Sequence, residues 1–275
     1  MKCDLCFHHC DLSEGQTGLC RARSCRDGRI VSDSYGLIAG LALDPIEKKP
    51  LRRFHPGSLI LSVGTFGCNL NCPFCQNYSL SAHGRADYPD QLLQVTPQML
   101  AEQAQSLVPR GNIGLAYTYN EPLVSYEFVR SCAQEIRSRH LLNVLVSNGT
   151  LEEPYFRALL PLIDAANIDL KGFTPAWYRR LGGSLDNVKR NIALAAENCH
   201  LEVTTLIVPD CNDSEEDMRR ECAFLQSIDR TIPLHITRFF PRYQMADAQP
   251  TPVKTVLRLT EIAREYLDFV YPGNL

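Results

Sequence analysis

Ser58-Leu59-Ile60-Leu61-Ser62-Val63-Gly64-Thr65-Phe66 runs straight into Gly67-Cys68-Asn69-Leu70-Asn71-Cys72-Pro73-Phe74-Cys75-Gln76-Asn77. The first part is an apolar run of strand length; the second packs three cysteines into eight residues. Three thiolates on one tight loop make a ligand set for a metal or an iron–sulfur cluster. A cubane [4Fe–4S] cluster normally takes four cysteines, and the next cysteine along the chain is Cys132, so one iron is left open to a substrate or cofactor. The competing reading is a zinc knuckle or a set of reduced core thiols. Zinc sites, however, usually close with four ligands drawn from two separate pairs.

Downstream of this loop, short apolar runs alternate with longer amphipathic segments. Strands are expected at 59–66, 113–118, 143–147, 166–170, 202–208 and 234–239, and helices over 96–108, 123–139, 152–160, 187–198, 214–228 and near 253–266. Repeated strand–helix units predict an α/β fold with a parallel sheet, here a partial (β/α)6 TIM-like barrel over 58–275. Such a barrel carries its ligands at the carboxyl ends of its strands. Those positions are polar in this chain: Tyr119-Asn120-Glu121-Pro122, Asn148-Gly149-Thr150, Asp169-Leu170-Lys171-Gly172 and Pro209-Asp210-Cys211-Asn212-Asp213.

Residues 1–57 break the alternation and read as a small, loop-rich, Cys-rich extension. Cys3-x2-Cys6-x3-Cys10-x9-Cys20 could supply four ligands to zinc or to a second iron–sulfur cluster, with buried thiols as the plainer alternative. So short a segment is poor in core, which makes a metal staple physically attractive.

The chain has 275 residues, 45% of them hydrophobic, and a formal net charge of -3. That is enough to bury a large core. No block of lysine or arginine points to nucleic acid, and no apolar run approaches a membrane span. Without an apolar leader at Met1-Lys2-Cys3, a cytoplasmic location is expected, and twelve cysteines there are metal ligands or buried thiols rather than disulfides. An oxygen-sensitive cluster suggests an anaerobic setting.

The spacing Cys68-x3-Cys72-x2-Cys75, with Phe74 before the last cysteine, resembles the signature of the radical S-adenosylmethionine (SAM) superfamily. The whole chain is similar to its pyruvate formate-lyase activating enzyme-like branch, including the radical SAM members of the AmmeMemoRadiSam system. The carrying segments are the Cys-rich start, Leu43-Asp44-Pro45-Ile46-Glu47-Lys48-Lys49-Pro50-Leu51, His55-Pro56-Gly57-Ser58, the cysteine loop, Tyr117-Thr118-Tyr119-Asn120-Glu121-Pro122 and Tyr271-Pro272-Gly273-Asn274. The resemblance implies a [4Fe–4S] cluster on Cys68, Cys72 and Cys75, whose open iron is chelated by the amino and carboxylate groups of SAM. Reductive cleavage would then give a 5'-deoxyadenosyl radical that abstracts hydrogen, with electrons from a reductant such as flavodoxin or ferredoxin.

Tyr119-Asn120-Glu121-Pro122 lies where radical SAM enzymes commonly carry Gly-Gly-Glu, so Glu121 is the candidate acceptor for the SAM amino group, although a glutamate here could equally open a helix. Asp169-Leu170-Lys171 and Ser147-Asn148-Gly149 look like segments of glycyl-radical activating enzymes whose Asp and Lys reach SAM or the radical site. Asp169 and Lys171 are therefore the catalytic candidates. Phe74, Asn120, Asn148 and His235 join them and Glu121 as candidate SAM contacts, with His235 equally readable as a hydrogen-bonded core residue. Where the activases carry Gly-Pro-Gly-x-Arg and Cys-His-Asn, this chain has His55-Pro56-Gly57-Ser58-Leu59 and Cys75-Gln76-Asn77. The expected oxidoreductase acts on a glycine Cα of a partner protein or, alternatively, on a small molecule or another protein residue. A metal-binding interaction protein without enzymatic activity is the other class.

Overall fold

The structure is a computed structural model that describes residues 1–88 and 91–275. Its centre is an eight-stranded sheet in which sequence order and spatial order coincide. Strand β1 (Gly40–Pro45) runs antiparallel to β2 (Leu59–Gly64). Next come β3 (Asn112–Tyr117), β4 (Leu142–Ser147), β5 (Ala165–Asp169), β6 (His200–Ile207), β7 (Leu234–Arg238) and β8 (Val270–Gly273), each parallel to the one before it. The sheet order ends at β1 and β8 without pairing them, so the barrel is partial.

Helices α1 (Pro97–Ser106), α2 (Tyr126–Ser138), α3 (Glu153–Leu159), α4 (Leu185–Asn198), α5 (Glu215–Ile228) and α6 (Val253–Arg264) are the crossovers that parallel strands require. Local chemistry fixes where several begin. Thr96, Ser184 and Ser214 each accept the backbone N–H three residues on, satisfying a donor that the first helical turn leaves free. Leu61, Leu115, Leu145 and Ile168 belong to the main core with Leu100, Val129 and Ile192 of the helices.

All six expected strands and all six expected helices are present, with ends shifted by a few residues. Two strands of the eight-stranded sheet were not expected. In β8, Pro272 and Gly273 look like a turn, yet a proline is tolerated on an edge, where only one side of the strand pairs. In β1, Gly40 and Pro45 bracket a short run whose residues are mostly half-exposed.

That second strand moves the boundary drawn at residue 57. Gly40–Pro45 is part of the barrel sheet, and Ile46 and Leu51 pack with Ile60, Ala116, Val144 and Ala165 to fill the barrel's interior. The backbone N–H groups of Arg52 and Arg53 are held by the buried carboxylate of Glu202, at 3.0 and 2.7 Å. Ahead of β1 lie an antiparallel hairpin (Arg23–Arg26 with Arg29–Ser32) and turns that lean on the carboxyl ends of the strands. The backbone of Cys6 bridges to Leu151, and the Glu152 N–H donates to the Leu5 carbonyl. Among the described residues no helix is long and apolar enough to cross a membrane.

Candidate active site

A cleft of about 260 Å3 opens at the carboxyl ends of the parallel strands. Cys68, Cys72 and Cys75 line it together with Glu121, Asn148, Asp169 and Lys171.

The cysteine loop leaves β2 through Gly67, whose φ of +84° and whose approach to Cys20 exclude a side chain: a Cβ there would lie 2.4 Å from the Cys20 carbonyl oxygen. The Cys68 N–H donates to that same carbonyl at 3.1 Å. Asn120 ties the loop from the other side, its amide donating to Thr65 Oγ1 (3.1 Å) and to the Gly67 carbonyl (2.9 Å). Phe74 is buried and stacks on Trp177, ring centres 5.9 Å apart.

The sulfurs sit among donors and a cation. Cys68 Sγ faces the Leu70 N–H at 3.4 Å and the Asn148 amide at 3.7 Å, and the Lys171 ammonium acts electrostatically on Cys72 and Cys75. Burial, then the neighbouring Glu121 and Cys72, push the Cys68 thiol well above its usual range; burial raises Cys72 to about 12, with Lys171 working the other way. Thiolate ligation to a metal would offset the burial of these sulfurs and release their protons. Among the described residues no three His, Cys, Asp or Glu side chains are grouped as a single metal ion would need. A cluster of several irons is a wider object than one ion, and three sulfurs on one loop, flanked by N–H donors and an ammonium, suit it.

Glu121 is 4% exposed. It accepts Ser147 Oγ (2.9 Å) and the N–H groups of Leu123 (3.1 Å) and Asn148 (2.7 Å), so it caps the following turn and faces the cleft at once. Burial raises its carboxyl to about 7, against the pull of those donors, and no cationic side chain pairs with it among the described residues. Asp169 and Lys171 form an ion pair at 2.9 Å. Burial opposes the Lys171 ammonium, but Asp169 and the cysteines outweigh it and hold the group above its ordinary value. Its backbone is fixed by Trp177 Nε1 and the Asn212 amide, which both donate to the Lys171 carbonyl, at 2.7 and 3.0 Å.

His235 is a correction. It is buried near the start of β7, bonded to Glu202 at 2.6 Å, and is not among the residues lining the cleft. Thr237, two residues on, shares the same face of the strand but sits one step nearer its carboxyl end, where it lines the cleft. Ser147, from the Ser147-Asn148-Gly149 segment, also lines it; Thr204 does too and had no sequence signal, because a β-branched threonine inside a strand reads as ordinary sheet. Thr204 Oγ1 is buried without a hydrogen-bond partner in the structure.

The model of the radical SAM superfamily matches residues 62–225. An uncharacterized protein of Methanocaldococcus jannaschii is 35% identical over 278 residues, covering 100% of this chain and 81% of that protein. The isethionate sulfite-lyase activating enzyme of Oleidesulfovibrio alaskensis is 25% identical over 61% of this chain and 55% of its own length. Among solved structures, Streptococcus suis SuiB bound to precursor peptide SuiA superposes with a TM-score of 0.57 at 13% identity, over 75% of this chain and 46% of that one, a likeness of fold. A partial parallel barrel with a three-cysteine loop at its mouth and a matching family model define the class. The chain belongs to the radical SAM superfamily, and its cofactors are a [4Fe–4S] cluster and SAM.

Proposed function

We propose that this chain binds the cluster through Cys68, Cys72 and Cys75, holds SAM in the adjoining cleft, and abstracts hydrogen from a glycine Cα of a partner protein. The observation that carries the reading is Glu121, a buried carboxylate without a cationic partner among the described residues, in the same cleft as the three cysteines. An unpaired ionised carboxylate is costly to bury, and the SAM ammonium is the partner that would neutralise it.

When bound and reduced, the cluster supplies the electron that cleaves SAM to methionine and a 5'-deoxyadenosyl radical. The protein's own groups bind and orient. Glu121 receives the ammonium, and Asn148 holds both that carboxylate, through its N–H, and the Cys68 sulfur, through its amide. Lys171, steadied by Asp169, counters negative charge on the cluster side and stands where a carboxylate could be received. Thr204 and Thr237 bring hydroxyls to the same cleft. The protein substrate rests on the similarity to an activating enzyme, and the electron donor would be a flavodoxin or ferredoxin.

The test is anaerobic reconstitution followed by dithionite and SAM. About four irons per chain and release of 5'-deoxyadenosine are expected. Both should vanish in the Cys68→Ala/Cys72→Ala/Cys75→Ala variant, and cleavage surviving there would overturn the assignment. The substrate is tested by adding a candidate glycyl-radical protein and looking for its doublet electron paramagnetic resonance (EPR) signal.

A further inference from the structure

A second cavity adjoins the cysteine loop at Asn69, with Glu121 lining both it and the cleft, and four of the residues around it are Cys3, Cys6, Cys10 and Cys20. Two reverse turns bring them there. The Cys3 N–H donates to the Cys10 carbonyl at 2.8 Å and the His9 N–H to the Cys6 carbonyl at 3.1 Å, while the Arg21 N–H closes the turn at Gly18 at 2.9 Å. All four cysteines are free thiols. The remaining walls are largely apolar, formed by Leu5, Leu12, Leu123, Val124 and Leu151. Four thiols gathered round one apolar hole gain little from one another, since a thiol is a weak donor and a weak acceptor.

A second observation points to what they hold. Arg23, also on this wall, is 6% exposed. Its two terminal nitrogens pair with Glu127 at 2.8 and 2.7 Å, but its Nε–H is buried without a partner. Buried donors are nearly always satisfied, so an orphan at a cavity wall marks an acceptor that belongs there. Neutral thiols are poor acceptors; thiolate sulfur bound to a metal is anionic and a good one. The other polar groups are already engaged. His8 Nε2 is bonded to the Asn69 carbonyl at 2.8 Å, and both Glu121 oxygens accept from Leu123, Ser147 and Asn148.

We propose that Cys3, Cys6, Cys10 and Cys20 are the thiolate ligands of a second metal centre, zinc or iron–sulfur, with Arg23 Nε as the hydrogen-bond donor to its sulfurs. Binding ionises four S–H groups and releases their protons to solvent. Four thiolates around either Zn2+ or a [4Fe–4S]2+ core carry the same net charge of about minus two, the charge an orphan guanidinium N–H favours. The sulfurs are not grouped as a single ion would need, which is equally true of Cys68, Cys72 and Cys75, so zinc would have to draw the four together while a cluster would span them more widely. The centre would brace the first loop, because Cys20 supplies the carbonyl that holds the Cys68 N–H.

The experiment reads metal rather than SAM cleavage, so its outcome is separate from that of the proposed activity. The Cys68→Ala/Cys72→Ala/Cys75→Ala chain is reconstituted anaerobically with iron and sulfide or with zinc, and its metal is counted and its absorption and EPR spectra recorded. Retention of about one zinc or about four irons supports the proposal and names the metal. Adding Cys6→Ala and Cys20→Ala should then abolish retention. As a check independent of folding variants, the wild-type chain is alkylated before and after a chelator. Cys3, Cys6, Cys10 and Cys20 should become reactive together, within one concerted step. No metal in the triple variant, or four thiols alkylated independently of chelator, would overturn the second centre.

Discussion

Asn148 joins Glu121 to Cys68 in the cleft: its backbone N–H reaches a Glu121 oxygen at 2.7 Å while its side-chain amide points to Cys68 Sγ at 3.7 Å. One residue at the end of β4 thus sets the position of a carboxylate relative to a cluster ligand. The consequences are open to measurement.

Glu121→Gln should assemble the cluster normally but bind SAM about tenfold or more weakly, since a charge-assisted hydrogen bond contributes roughly 1.5–3 kcal/mol. The wild type should show a matching pH dependence. Burial raises this carboxyl to about 7, so below that pH the uncharged acid predominates and has no attraction for an ammonium. SAM affinity should therefore fall as pH drops through about 7, and the Gln variant should lose that dependence. Calorimetric titration across pH checks both, and equal affinities would return Glu121 to a helix-capping role.

Thr204→Val keeps the shape and removes a hydroxyl that has no protein partner. If the hydroxyl serves the ligand, SAM affinity should weaken by roughly 0.5–1.5 kcal/mol, severalfold or more, while thermal stability stays level or rises. A loss of stability with unchanged affinity would make Thr204 a structural residue only.

Lys171→Ala leaves Asp169 without its partner beside three thiolates. 5'-Deoxyadenosine formation should drop at least tenfold, with Asp169→Asn milder because the ammonium stays. Iron content measured alongside separates a lost cluster from a lost binding contact.

The Glu202 carboxylate bears on stability rather than on the cleft. Burial works against its charge, but His200, His235 and the N–H groups of Arg52 and Arg53 outweigh it and lower the carboxyl from 4.5 to about 2. A depressed carboxyl stabilises the fold fully above the unfolded value and loses that contribution as pH falls from about 4.5 to about 2, an amount on the order of 3 kcal/mol. Glu202→Gln should be less stable at neutral pH, with the gap to wild type closing in acid. Denaturant melts at pH 7 and pH 3 test this, and SAM binding to a folded His235→Gln chain should be near normal.

Much of this was legible because the signals were local. The cysteine spacing, the strand–helix alternation and the polar residues after each strand are patterns of neighbours along the chain. Sequence therefore placed Cys68, Glu121, Asn148 and Lys171 at one rim. β8 was hidden because Pro272 and Gly273 look like a turn until an edge position makes the missing ladder bond harmless. β1 was hidden because half-exposed edge residues lack a clean alternation.

By itself, then, the chain determined its metal chemistry and the order of its units, since ligand type and period are written in adjacent residues. Tertiary structure alone decided the rest: that His235 bonds to Glu202 while Thr237 meets the cleft, that Ile46 and Leu51 fill the barrel, and that Arg23 pairs with Glu127 while its Nε–H stays unpaired. Each depends on which strands and turns come to face one another across the fold, a relation between residues far apart in sequence that no local pattern encodes.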